Sequence, residues 1–331
     1  MTAEDQPPTT NPVSTTVEID YSDTDSAFDD GSSTASTSLA SIALKYEWRH
    51  GRRYHSYHSG QYSFPNDDIE QARLDMIHHV FYLLLNERLF LAPIDPEGLS
   101  ILDLGTGTGI WPIELGDMYR GADIVGNDLS PIQPEWAPPN VRFYVDDIEN
   151  DWEEPVQYDY IHCRYMAGAV KDWPRLIRQI YGALKPGGWV ELQESANTLY
   201  SEDGSLEPNN PMVQMMDNLM LACEKIGRTM DPAPSFKQWV HEAGFDGVQQ
   251  QRFKLPIGSW PKDPRMKEIG TLMGVNFREG VGAFTAALFG DVLGWPRPDV
   301  ELFNASVRKA TGERGVHPLF DFLVVTAQKP R

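Results

Sequence analysis

"SILDLGTGTGIWPIELGDMY", Ser100 to Tyr119, is the stretch from which the fold is read. Ile101–Leu104 reads as a short buried strand and Ile110–Tyr119 as a helix. Pro112 falls in the first helical turn, where proline is tolerated. Between strand and helix lie Gly105, Gly107 and Gly109. A loop of this kind lets the backbone approach a ligand closely. In an open parallel sheet, ligands bind beyond the carboxyl ends of the strands, where strand order reverses.

The flanking sequence continues the alternation. Strands are predicted at Ile124–Asn127, Val141–Val145, Tyr158–Cys163 and Trp189–Gln193. A helix over Pro174–Leu184 is stopped by "KPGG", with Gly187 and Gly188 just past its end. Upstream, Ile69, Ala72, Met76, Val80, Leu83 and Leu84 recur at helical spacing, and Asp67 or Asp68 can cap the start. That pattern predicts a helix from about Asp68 to Leu89. Downstream, helices are expected over Met212–Ile226 and Phe236–Glu242, with one or two more across 264–293. Strands are expected at Val248–Leu255 and Leu319–Gln328. The α/β alternation implies βαβ units, a mostly parallel sheet and helices on both faces.

The glycine spacing discriminates between ligands. A dinucleotide site wants a third small residue five positions after the first glycine. Counted from Gly105 that position is Ile110, which disfavours a nicotinamide-dependent dehydrogenase. The glycines instead follow D-x-G-x-G-x-G from Asp103. The next strand ends in "IVGNDLS", where Asp128 can accept two hydrogen bonds from a ribose diol. The third ends in "FYVDDIEN", where Asp146 or Asp147 can accept from an adenine amino group and Ile148 can pack on the base.

Asp103, Gly105, Gly107, Gly109, Asp128, Asp147 and the "LKPGGWVE" turn together resemble the class I S-adenosylmethionine-dependent methyltransferases. A finer resemblance is carried by "HGRRYHSYHSGQYSFPNDDIEQARLDMIHH", "GNDLSPIQPEWAPPNVRFYVDDIENDW" and "YIHCRYMAGAVKDWPRLIRQIYGALKPGGWVELQE". These segments look like the fungal LaeA-like (UMTA-type) branch, which is tied to the regulation or tailoring of secondary metabolites. The resemblance covers roughly residues 42 to 328. It implies a Rossmann-like fold with a seven-stranded sheet, an N-terminal helical lid and helical caps. On this basis residues 41–98 form the lid and first helix, and 99–331 the methyltransferase domain. Cap insertions are expected at about 200–235 and 262–295. The implied cofactor is S-adenosyl-L-methionine and the implied reaction is methyl transfer.

The candidate site follows from that chemistry. The cofactor is a sulfonium cation with an amino-acid end, so its loop needs close approach rather than an anion cradle. Asp103 suits the ammonium, with a simple loop or helix cap as the alternative. Asp128 is expected as the ribose ligand, with Leu129 beside it and a plain turn aspartate as the alternative, and the resemblance implies Asp147 rather than Asp146 as the adenine partner. Thr106 completes the loop contacts. Arg164 is placed to hold the cofactor carboxylate, orient the acceptor or form an ordinary salt bridge. His162 is a candidate general base or a satisfied core histidine. His55 and Glu194 are further base candidates. Tyr54, His55, Tyr57 and His58 form an aromatic cluster, read as a lid over the cofactor or as packing at the sheet edge. Met212, Met215, Met216 and Met220 read as an adaptable apolar cap or as ordinary core.

Composition narrows the partners. The net charge of −20 argues against nucleic acid, which needs a basic footprint. The short run Arg49–Arg53 reads as a solvated face. The fourth strand is followed by "HCRYM", not by the [ND]-P-P-[YF] sequence of amino-group DNA methyltransferases. Residues 1–40 hold eight acidic side chains and no Lys or Arg, and are expected to be disordered. Such a tail is a solubilising segment or a contact for a protein partner. The longest apolar run, Val80–Leu85, is too short to span a bilayer, and no basic-then-apolar leader begins the chain. The expectation is an intracellular protein, cytoplasmic or nuclear, acting on a small-molecule acceptor. Cys163 and Cys223 are expected to be small buried side chains rather than metal ligands.

Overall fold

The computed structural model describes residues 46–55, 63–152 and 157–331. The acidic stretch 1–40 and the lid residues Tyr57 and His58 lie outside the described residues. A hairpin comes first, β1 (Glu47–Arg49) and β2 (Arg52–Tyr54). His50 and Gly51 at its tip both take positive φ, 53° and 76°, the requirement of a type I′ turn. Next comes α1 (Asp68–Leu84), whose N-cap Asp67 accepts from the Glu70 amide. The helix stops short of the expected Leu89 because Asn86 and Glu87 turn into left-handed conformations. The chain beyond is then pinned to the sheet, where the Glu191 carboxylate accepts from the Leu91 and Ala92 amides.

The α/β body follows as β3 (Ser100–Leu104), α2 (Ile110–Met118), β4 (Asp123–Asp128), β5 (Val141–Val145), β6 (Tyr158–Arg164), α3 (Trp173–Ala183) and β7 (Leu184–Tyr200). Then come α4 (Pro211–Lys225), α5 (Phe236–Glu242), β8 (Asp246–Pro256), α6 (Pro264–Ala287), α7 (Arg297–Thr311) and β9 (Leu319–Gln328). A single π turn, Leu288–Val292, extends α6. Strand order is β5-β4-β3-β6-β7-β9-β8, a seven-stranded sheet. The ladders from β5 through β7 are parallel, and β9 is antiparallel to both neighbours. This is the Rossmann-like arrangement expected of the class I methyltransferase fold. The chain leaves β3 toward β5, then crosses back to β6. The crevice between β3 and β6 is therefore the switch point at which such sheets bind ligands.

Two elements were not legible to the alternation pattern. The β1–β2 hairpin is one. Its arginines are not a free basic face: Arg49 pairs with Asp291, Arg52 with Asp67 and Arg53 with Asp68. Helix α7 is the other, although its buried Val300, Asn304, Val307 and Ala310 do recur at helical spacing. Strand β7 runs far beyond Trp189–Gln193 because β9 pairs along it from Trp189 to Tyr200.

Three apolar clusters hold the body together. One lies under α2, around Ile101, Trp111, Leu115 and Tyr160. Another lies under α3 and α5, around Ile161, Trp173 and Phe236. The largest joins α1, α4, α6 and α7 to the far half of the sheet, around Phe81, Met215, Phe277 and Phe322. Helix α6 thus packs on α1, and with α4 and α7 it forms a helical layer beside the switch point. Cys163 and Cys223 are both buried and free.

Candidate active site

A cleft of about 1120 Å³, its open mouth included, lies at the carboxyl ends of β3, β4, β5 and β6. Asp103, Gly105, Thr106, Gly107, Asp128, Leu129, Asp146, Asp147, Ile148, His162 and Arg164 all line it. Tyr54, His55 and Gly109 do not. Tyr54 is buried beneath the Arg49 guanidinium, 4.7 Å from its ring centre, and His55 is buried beside it in the chain. The segment that does reach the cleft from this side is Pro65–Asn66, whose Asn66 amide donates to Ser130 Oγ at 3.2 Å.

The loop geometry explains its glycines. Gly105 has φ +65°, and a Cβ there would run into the Met166 sulfur. Gly109 has φ +80° as the N-cap of α2, and a Cβ there would stand 2.6 Å from the Phe143 ring. Gly109 therefore serves the entry into the helix rather than the cleft wall. Loop and neighbouring strand are tied together by Asp128, whose carboxylate accepts from the Gly107 amide and the Ser130 amide, both at 2.8 Å. Each oxygen keeps a second lone pair, enough for two hydroxyl donors from one ribose. Burial pushes Asp128 up to about 6 despite these bonds.

Beyond the carboxyl end of β5, Asp147 is buried and Asp146 exposed. Asp147 Oδ1 accepts from the Glu149 amide, which fixes the turn, and Ile148 lies buried beside it.

The floor at the switch point is a polar chain set by strand register. Asp103 of β3 stands opposite His162 of β6. Asp103 Oδ1 takes a hydrogen bond from His162 Nδ1 at 2.7 Å, and Oδ2 takes the Thr106 hydroxyl at 2.6 Å. A carboxylate only accepts, so Nδ1 carries the imidazole proton. His162 Nε2 is buried with no partner among the described residues, and the ring lies flat against Trp111, 3.9 Å between centres. Both sequence readings of His162 thus survive in part: it is packed like a core residue and still lines the cleft.

Arg164, two residues on, stands differently. Its Nη2 donates to His78 Nδ1 at 2.7 Å, and Phe81 lies under the guanidinium at 5.6 Å. Because Arg164 must donate, His78 Nδ1 accepts, and His78 Nε2 then donates to Glu114 at 3.0 Å. Burial lowers Arg164 to about 10, so it remains a cation at neutral pH. Among the described residues no carboxylate pairs with it directly. Helix α1 supplies a second link to the loop, since Thr108 Oγ1 donates to Asp75 at 2.7 Å. Asp75 and His78 on α1, and Glu114 on α2, escaped sequence reading because each helix shows only its apolar spacing there. Their role depends on where the helices dock.

A second cavity of about 640 Å³ adjoins the first, with Tyr165 lining both. Half of its wall residues are Phe or Met, including Phe277, Phe284, Met230 and Met273. Of the four methionines singled out in α4, only Met216 reaches it, while Met212 and Met215 are core. Glu194 sits behind this region. Its carboxylate accepts from the Met166, Ala167 and Ser195 amides at 2.6, 2.8 and 2.9 Å, and burial raises it to about 8. It positions the turn after β6.

Fold and cleft define a methyltransferase of the Rossmann-like class that uses S-adenosylmethionine. Comparison places the chain within a family: residues 76–250 match the methyltransferase domain model, and the chain belongs to that family. It is 63% identical over 295 residues to "Methyltransferase pytC" of Aspergillus terreus, covering 89% of this chain and 91% of the relative. It is 35% identical over 292 residues to "Secondary metabolism regulator LAE1" of Cochliobolus heterostrophus, covering 85% and 94%. It is 34% identical over 263 residues to "Probable methyltransferase tdiE" of Emericella nidulans, covering 80% and 83%.

Proposed function

We propose that the protein methylates a small-molecule secondary metabolite inside the cell. The observation that carries this reading is the cavity beside the cofactor cleft, whose wall holds seven Phe and Met side chains, a lining suited to an apolar small molecule. The higher identity to a relative named as a methyltransferase than to those named as regulators supports the same side. We further propose that Asp128 takes the ribose hydroxyls, Asp147 and Ile148 the adenine, and Arg164 the amino-acid carboxylate. The unpaired charge of Arg164 and the free lone pairs of Asp128 fit those groups. The cofactor supplies an already activated methyl group, so no covalent enzyme intermediate is required. The residues contribute alignment and exclusion of water, and alignment alone is worth up to ~7–11 kcal/mol. Asp103 and His162 hold the floor rigid beneath the cofactor's amino-acid end. His55, buried and away from both cavities, has no part in this scheme.

The test is transfer of a labelled methyl group from S-adenosylmethionine into an extract of the source cells, with Asp128→Ala as control. Asp128-dependent label in the small-molecule fraction is the expected result. Label confined to protein would overturn it and favour a regulatory role, with the acidic stretch 1–40 as a contact for partners.

A further inference from the structure

The second cavity carries more than its size. Four of its wall residues are polar: Arg73 from α1 and Asn276 from α6, which are hydrogen-bonded to each other, and Ser195 and Asn197 from β7. Tyr165 stands at the boundary with the cofactor cleft. Its backbone has φ +59°, uncommon for a bulky residue and a mark of strain held for a purpose. The strain is held from two sides. The Tyr165 amide donates to the Gln193 carbonyl at 3.0 Å, and Glu194 grips the two following amides. The phenol oxygen receives Arg73 Nη1 at 3.3 Å. Arg73 has no acceptor, so the phenol accepts there and its own proton is left to donate. Among the described residues nothing takes that proton.

Arg73 lines the cavity, whereas its counter-ion Glu70 does not. Arg73 is itself held by Glu70, 2.6 Å from Nη2, and by Asn276 Oδ1 at 3.0 Å, with Phe284 against its face at 4.9 Å. Glu194 is occupied by its three amides, and Asp231 lies beyond Asn197, accepting from its amide at 2.9 Å. Among the described residues no carboxylate lines the cavity. An ammonium group would enter with nothing to pair it, whereas an anionic oxygen would meet the Tyr165 proton with the Arg73 cation behind it.

Resting on the methyltransferase reading above, we propose that this cavity is the acceptor chamber. It selects a ring-bearing apolar molecule that presents an enolate or phenolate oxygen to Tyr165, and Tyr165 and Arg73 are the residues that recognise that oxygen. The acceptor has then already released its proton to solvent, and the chamber needs no general base. The Phe and Met wall receives the carbon skeleton, with methionine allowing the shape to adapt.

The probes are 2-naphthol, its neutral isostere 2-methylnaphthalene and the cationic 2-naphthylmethylamine. Binding to the full chain, saturated with S-adenosylhomocysteine, is read by fluorescence across pH. The wild type is expected to prefer 2-naphthol over both others by at least about tenfold, the scale of one hydrogen bond to a charged oxygen. That preference should grow as the naphthol ionises. Tyr165→Phe should erase the preference for 2-naphthol over 2-methylnaphthalene while leaving binding of the isostere. Equal binding of naphthol and isostere, preference for the amine, or no binding of any probe overturns the proposal. Should Tyr165→Phe fail to fold, the wild-type probe ranking and its pH dependence still decide. Binding of S-adenosylhomocysteine itself, measured first, reports separately on the cofactor reading.

Discussion

Asp128 shows how one side chain serves fold and function together. Its carboxylate braces the glycine loop through Gly107 and the following turn through Ser130, and faces the cleft with lone pairs to spare. Asp128→Ala should weaken S-adenosylhomocysteine at least about tenfold by calorimetry, given two hydroxyl donors on a charged group. Only the ionised carboxylate accepts from both hydroxyls. Because burial has raised this group to about 6, affinity should fall as pH drops through that value and level off above it. Asp128→Asn should show a flat profile over the same range. Arg164 permits a sharper dissection. Arg164→Met should cost roughly tenfold in S-adenosylhomocysteine affinity through the lost carboxylate pair. The same change should leave 5′-methylthioadenosine, which lacks the amino-acid end, almost untouched, whereas Asp128→Ala should weaken both.

The loop between β3 and α2 was legible from its glycines, and the reason each is glycine differs along it. Gly105 yields space to Met166 from the turn after β6, and Gly109 yields space to Phe143 of β5. Gly105→Ala should destabilise the protein by about 1–3 kcal/mol through positive φ and the sulfur contact together. Adding Met166→Ala should recover the contact part and leave the backbone part, a non-additivity that denaturant titration of the four proteins of the cycle can measure. Strand-end carboxylates at Asp103, Asp128 and Asp147 were also readable, because the end of a parallel strand in this fold is a place and not merely a residue type. The support from α1 was not. Helical spacing reports which face is apolar, but Asp75 and His78 contact the loop and Arg164 only after α1 has packed beside α2 and the switch point.

Across the molecule, the cofactor cleft is stitched from the sheet, from α1 and from the Pro65–Asn66 segment, so ligand binding couples these parts. S-adenosylhomocysteine at a hundred times its Kd should add about 2.7 kcal/mol to the stability of the native state. For a chain of this length that is a rise in Tm of roughly 4 °C, which differential scanning calorimetry can check against Asp128→Ala. Local chemistry alone was enough to specify the alternation of strands and helices, the glycine loop and the acidic strand ends, while the class of cofactor came from the resemblance that these residues carry. These signals are short in range: periodicity, turn residues and the spacing of a single βαβ unit. The pairing of Asp103 with His162, the cation left unpaired at Arg164 and the chamber behind Tyr165 depend on register and docking between segments up to 200 residues apart, as in the contact of Arg73 with Asn276 across 203 positions. No local pattern encodes such contacts, because they exist only once separate elements have buried their apolar faces against one another and carried their polar residues with them.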